Sequence, residues 1–247
     1  MRIAVFGTGG AGAYFGAQLA RAGEDVIFLA RGEHLQAIRT QGLRVGTAEG
    51  EIVIRPTHAS DKPAEVGVVD AVLVGETHFV KFGELNKRPS KRAERLRQAF
   101  ERAGVKVETP TDIHVAVWEK FLFVVSWGGI GALARAPVGV TRSVPETRQM
   151  IEQSMREIFV VACARQIALP DQVVEKSLAL VDTLAPGGTT SLQRDIAGDK
   201  PSELDAWNGA AVRLGQEVGV ATPLHELIYS SLLPLELRAR GKIQFPA

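Results

Sequence analysis

Ile3-Ala4-Val5-Phe6-Gly7-Thr8-Gly9-Gly10-Ala11-Gly12 decides the fold of this chain. Four apolar residues, 3–6, are too few for a helix and read as a buried strand. Gly7, Gly9 and Gly12 follow at G-x-G-x-x-G spacing. Residues 14–22, small and apolar, then predict a helix that stops at Gly23. Residues 25–30 (DVIFLA) are a second apolar strand. Strand, glycine turn, helix and strand in this order predict a βαβ unit on a parallel sheet. The three glycines serve different physical ends. Gly7 permits the tight turn, Gly9 lets backbone approach a pyrophosphate, and Gly12 allows close helix–sheet packing. Thr8, Gly10 and Ala11 complete a loop whose free N–H groups, opening a helix, face an anion. The expected ligand is a dinucleotide.

The end of the second strand selects among dinucleotides. An acid there would accept hydrogen bonds from a ribose 2′-hydroxyl and repel a 2′-phosphate. The chain instead reads Ala30-Arg31-Gly32. Arg31 offers a planar fork of donors suited to a phosphate, so NADP(H) is the expected cofactor.

Outward from this unit, residues 33–40 predict a short helix and residues 43–45 with 51–54 a hairpin. Residues 70–74 predict another buried strand. Residues 78–82 and 105–107 predict strands flanking a helix at 90–103. A full doubly wound domain has a second βαβαβ half, so on the order of 50 residues are expected to be absent after Val74. From Thr111 the pattern turns helical. Residues 111–133 form a long apolar segment interrupted by Gly128, Gly129 and Gly131. Helices are expected at 145–165, at 171–184 with Asp171 as N-cap, at 202–218 and at 223–237, with a short turn at 191–195. The expected fold class is α/β, a shortened Rossmann-like parallel sheet followed by an all-helical domain, divided near Pro110 into residues 1–109 and 110–247.

Composition narrows the function classes. With 29 Lys+Arg against 28 Asp+Glu over 247 residues, no surplus of cations is available to offset a nucleic-acid backbone. A 45% hydrophobic fraction supplies an ample core. The single cysteine, Cys163, is expected to be a small core residue, and no Cys/His cluster has metal-ligand spacing. The apolar start is too short for a signal peptide. The uncharged run at 121–134 falls short of the ~20 residues that span a membrane. A cytoplasmic protein without membrane or nucleic-acid partners is expected. His78, His114 and His225 have no paired carboxylate and are assigned no chemistry.

Three later segments carry a resemblance: Val117-Trp118-Glu119-Lys120-Phe121, then Thr190-Ser191-Leu192-Gln193-Arg194-Asp195-Ile196, then Ser202-Glu203-Leu204-Asp205-Ala206-Trp207-Asn208-Gly209. With the glycine turn and Ala30-Arg31-Gly32, they resemble the 2-dehydropantoate 2-reductase (ketopantoate reductase) family. The resemblance implies NADPH-dependent reduction of 2-dehydropantoate to (R)-pantoate, a step towards pantothenate and coenzyme A. It also implies roles: Lys120 as general acid, Ser191 and Asn208 as substrate contacts, and Glu203 as orienter of Lys120 and contact to the nicotinamide ribose. An ammonium aimed at the ketone oxygen favours the transition state over the ground state, which is chemistry a hydride transfer needs.

The chain also departs from the family pattern. Asparagines expected four and eight residues after the lysine are Val124 and Gly128, leaving Ser126 as the nearby polar substitute. Gly75-Glu76 replaces a cofactor lysine after the strand at 70–74. Two further readings therefore stand beside the first: a non-catalytic or internally deleted family member, and a reductase of a less polar 2-oxo acid. A small 2-oxo acid is the expected partner, and the exposed edge of a shortened sheet can drive homo-oligomerisation.

Overall fold

A computed structural model describes residues 1–6, 8–47, 50–55, 58–62, 65–66, 71–73 and 79–246. They fall into two compact units, Met1–Ile113 and His114–Ala247.

In the first unit, β1 (Arg2–Phe6), α1 (Gly10–Arg21) and β2 (Asp25–Leu29) form the βαβ unit. β5 (His58–Ser60) and β6 (Ala71–Leu73) flank them in a four-stranded sheet of order β5-β2-β1-β6. Every pair in it is parallel, with Ile3 opposite Val26 and Ala71. β1 is apolar and buried at Ile3, Ala4 and Val5 because both faces of the strand are covered there. Ile3, Val5, Val26 and Phe28 pack with Phe15 and Leu19 of α1, while Ala4, Ile27 and Leu29 meet Val66 on the other face. At Gly16 an added Cβ would lie 2.5 Å from Phe28 Cε1, so this glycine allows a close approach of α1 to the sheet.

α2 (Gly32–Gln41) leads through Gly42 into the antiparallel hairpin of β3 (Leu43–Thr47) and β4 (Gly50–Ile54). β7 (Phe79–Lys81), α3 (Lys91–Arg102) and β8 (Lys106–Glu108) make a further βαβ unit, its two strands paired in parallel as a separate sheet. Ser90 caps α3 by accepting from Ala93 N at 3.0 Å. The second half is thus reduced to one βαβ among the described residues. Gly7, Asp70, Val74, Gly75, Glu76 and His78 lie outside those residues.

The second unit is built on α4 (Ile113–Ala134). By length and composition α4 could cross a membrane, the one such helix among the described residues, but half of its apolar window is buried inside the unit. It exceeds the 121–134 run because it continues back through Lys120 and Glu119. Its glycines do not interrupt it. A Cβ at Gly128 would lie 2.9 Å from Thr190 Cγ2, at Gly129 2.8 Å from Asn208 Nδ2, and at Gly131 2.6 Å from Gln193 Nε2. The glycines admit neighbouring chain to the helix surface, an advantage that offsets their low helix propensity.

Around α4 lie α5 (Val138–Ser143), α6 (Pro145–Ala164), α7 (Val173–Thr183), α8 (Ser191–Ala197), α9 (Ala210–Glu217) and α10 (Pro223–Ala239). Their shared core includes Leu122, Val125, Ile130, Met155, Ile158 and Ile228. Three sequence expectations need correction. α7 starts at Val173 after Gln172, so Asp171 is not its cap. The helix expected from Ser202 begins as a π-helical turn, Asp205–Gly209. Cys163 is exposed, since the buried positions of α6 (151, 154, 155, 158, 161, 162) leave it on the rim.

Candidate functional site

Two candidate clusters emerge, one in each unit. In the first, Phe6, Thr8, Gly9, Leu29, Ala30, Arg31, His34 and Asp61 line a cleft of about 590 Å³ at the carboxyl ends of β1 and β2. Ligands of open α/β sheets bind at this edge. Gly9 is the N-cap of α1 in extended conformation, and Gly10, Ala11 and Gly12 form the first turn, with no acid there to compete with an anionic ligand for the positive end of the helix dipole. Nothing lies within 4 Å of a Cβ built at Gly9 or Gly10, so the backbone is open to a ligand. Thr8 is buried, and its Oγ1 has no hydrogen-bond partner among the described residues. A buried hydroxyl left unsatisfied beside an open glycine turn is a group awaiting an acceptor or donor. The residues present therefore fit a dinucleotide pyrophosphate.

Arg31 is exposed in this cleft as the N-cap of α2. Sequence reasoning missed two neighbours. The His34 ring Nε2 lies 2.9 Å from Thr8 O, tying α2 to the glycine turn. Its signal was legible, one helical turn after Arg31. Asp61 follows β5, a three-residue strand too short to show periodicity, and puts a carboxylate in the cleft that holds Arg31.

In the second unit, Lys120 is exposed on α4 and has no hydrogen-bond or ion-pair partner among the described residues. Val124 and Gly128 follow it on the same face at four-residue spacing. That face leads to Thr190, which caps α8 through a capping box: Gln193 N donates to Thr190 Oγ1 at 3.3 Å, and Thr190 N donates to Gln193 Oε1 at 3.0 Å. Thr190 is thus the cap. Ser191 is freed to donate from Oγ to Glu203 Oε2 at 3.3 Å.

Buried Glu236 of α10 fixes the backbone before Glu203. It accepts from Ser202 N at 3.0 Å and from the Ser202 hydroxyl, while Arg240 bonds both Glu236 and Ser202 O. This clamp was not visible in the sequence, because Glu236 lies 34 positions from Ser202. The structure brings Ser191 and Glu203 together, while the Glu203 carboxylate accepts from Ser191 and not from Lys120.

Two of the polar side chains singled out in the sequence are buried in the second unit. Asn208 is fully buried, and its Nδ2 donates to Val125 O (3.4 Å) and His225 Nδ1 (3.0 Å). It ties the π-helical turn to α4, while its Oδ1 has no hydrogen-bond partner among the described residues. Ser126 is likewise fully buried and does not replace the missing asparagines. His225 is buried too. With Nδ1 accepting from Asn208, Nε2 carries the proton and donates to Ser154 O at 3.1 Å. Burial lowers its pKa to about 4. Glu157 accepts from Leu224 N and His225 N at the start of α10, and burial raises its pKa. On the exposed side, Arg213 and Tyr229 bond Asp205 and lower its pKa.

Comparison with known proteins identifies the assembly of parts. Residues 3–76 match the family described as ketopantoate reductase PanE/ApbA, and residues 112–236 match its C-terminal part. A 2-dehydropantoate 2-reductase from Nostoc sp. is 22% identical, covering 97% of this chain and 96% of that protein. The match extends over 309 positions, more than the 247 residues present here, so the relative carries residues that this chain lacks. An uncharacterised oxidoreductase, YkpB, of Bacillus subtilis is 22% identical over 94% of this chain and 98% of its own. The crystal structure of a PanE/ApbA family ketopantoate reductase from Ralstonia eutropha superposes with a TM-score of 0.82 at 24% identity, covering 97% of this chain and all of that one. The chain belongs to the ketopantoate reductase PanE/ApbA family of oxidoreductases.

Proposed function

We propose that this protein reduces a 2-oxo acid with NADPH, 2-dehydropantoate giving (R)-pantoate, and that Lys120 is the general acid. The observation that carries the reading is an ammonium unpartnered among the described residues, on a helix face that leads through Gly128 to Thr190, the residue before the Ser191–Glu203 pair.

The bound reduced dinucleotide supplies the hydride. Thr8, Gly9, Gly10, Ala11 and Gly12 would hold its pyrophosphate, joined by Gly7, and Arg31 its 2′-phosphate. Lys120 stabilises the charge that develops on the substrate's keto oxygen and donates the proton that makes it a hydroxyl. Ser191, donating to Glu203, keeps two lone pairs free and can accept a hydrogen bond from a substrate hydroxyl. Turning its proton to a substrate carboxylate costs the Glu203 bond. Glu203 thereby sets which end of the substrate Ser191 reads.

Arg31→Ala tests the cofactor assignment. Loss of a charge-assisted hydrogen bond worth about 1.5–3 kcal/mol weakens NADPH by roughly 10- to 150-fold. NADH binding, which has no 2′-phosphate, changes little. Equal losses for both cofactors, measured by fluorescence titration, would remove the phosphate role.

A second reading, a less polar 2-oxo acid, is favoured by one observation. Thr190 and the Trp207 ring close over Gly128, with Trp207 Cζ3 3.3 Å from a Cβ built there, and Val124 is the next residue on that face. The asparagine amides are thus absent where a hydroxylated substrate would need partners, and the Thr190 hydroxyl beside Gly128 is engaged with Gln193; such losses cost selectivity. Steady-state assays with NADPH on 2-dehydropantoate and on 2-oxoisovalerate, which lacks the hydroxyl, decide between them. A higher kcat/KM for 2-dehydropantoate supports the first reading, and a higher value for 2-oxoisovalerate supports the second. NADPH binding without turnover of either would select a non-catalytic family member.

A further inference from the structure

Within the second unit, a cavity of about 340 Å³ lies among the end of α4, α8 and α10, and neither the cofactor nor the substrate reading uses it. Three guanidinium-bearing residues line it, Arg135, Arg194 and Arg238, and no carboxylate does. Its remaining wall is largely apolar and includes Ile196 and Leu235. Asp199 offsets one of the cations, accepting from Arg238 at 3.0 Å from outside the lining. Arg194 is held on the rim by donating to Thr189 O at 2.8 Å, a neutral partner that leaves its charge uncompensated. Arg135 is exposed, with no hydrogen-bond or ion-pair partner among the described residues.

Backbone conformation adds an independent observation. Arg135 follows the end of α4 with φ +52°, in the left-handed region. Its N–H donates to Ala132 O, and Ala136 N donates to Gly131 O, closing the helix as glycine usually does. An arginine at such a position is strained where a glycine would not be. The floor of the cavity is Gln193, whose Nε2 donates to Ala136 O at 3.0 Å.

We propose that this cavity binds a small organic anion, a carboxylate or phosphoryl group on an apolar body of a few carbons. The cations recognise the anionic oxygens, and the apolar wall removes the hydrocarbon from water. The volume stands at the lower end of the range for small-molecule sites and suits a compact ligand.

Calorimetric titration of the full chain at low ionic strength tests this, with hexanoate, hexyl phosphate, hexanol and inorganic phosphate as probes. Hexanoate or hexyl phosphate is expected to bind at least tenfold more tightly than hexanol, and the tighter of the two names the head group. Inorganic phosphate, lacking the apolar body, binds more weakly than hexyl phosphate. Arg135→Gly weakens the anion at least tenfold while raising the melting midpoint by about 2–4 °C, because it relieves the left-handed strain. Arg31→Ala and Lys120→Ala leave the binding intact. The proposal is overturned if hexanol binds as tightly as the anions, if neither organic anion binds, or if Arg135→Gly binds as the wild type does. Loss of binding in Arg31→Ala or Lys120→Ala would place the anion in the cofactor cleft or at the substrate and would overturn it equally.

Discussion

Lys120→Ala is expected to lower kcat by about 10²–10⁴-fold, the usual contribution of a positioned proton donor. At 1.36 kcal/mol per decade this is about 3–5 kcal/mol of transition-state stabilisation. The effect falls on kcat because negative charge on the keto oxygen exists only as the hydride arrives, so the ammonium discriminates between ground and transition states. Fold stability is not expected to follow. Lys120 is exposed on α4 and unpartnered among the described residues, and alanine has the higher helix propensity. The melting midpoint of the variant therefore stays near that of the wild type. Added methylamine restores part of the lost rate, because a small ammonium can occupy the vacated space and donate the same proton. A variant with wild-type kcat, or one rescued no better by methylamine than by sodium ions, would show that the proton comes from elsewhere.

How much of this was legible in the sequence depends on the range of the interaction. The βαβ unit was readable because strand, glycine turn and helix are each set by neighbours within about ten residues: β1 is apolar from Ile3 to Phe6, and Gly9 and Gly10 open α1. Ser191 and Glu203 lay in recognisable segments, and their pairing at 3.3 Å bears on chemistry that the types alone suggested. What failed was long-range. Gly128, Gly129 and Gly131 look like helix breakers locally, and only the approach of Thr190, Asn208 and Gln193 explains why α4 keeps them. Asn208 carries a polar label suited to a ligand contact, yet its partners Val125 and His225 lie 83 and 17 positions away and draw it into the core. Asp61 was missed because a three-residue strand has too little pattern to place its end.

The same long-range network makes the helical unit acid-sensitive above the range in which carboxylates titrate. His225 is neutral and buried, with its pKa lowered to about 4 from an ordinary value near 6.5. Between those values the unfolded chain binds a proton that the folded one refuses, so stability is full above pH 6.5 and is lost as pH falls to 4. The difference of about 2.5 units corresponds to roughly 3 kcal/mol. Glu157 works in the opposite direction: its raised pKa means the folded state gains a proton first, which offsets part of the loss just above its ordinary value of 4.5. The steepest decline is therefore expected between pH 6.5 and 5, at close to 1 kcal/mol per unit, in urea titrations followed by far-ultraviolet circular dichroism. His225→Gln keeps an amide that can accept from Asn208 and donate to Ser154 but cannot be protonated in this range. It lowers stability at pH 7 through imperfect packing, yet its stability should be nearly flat from pH 6.5 to 5. A variant retaining the wild-type slope would assign the proton uptake to another group and separate the acid sensitivity from the Asn208–His225–Ser154 network.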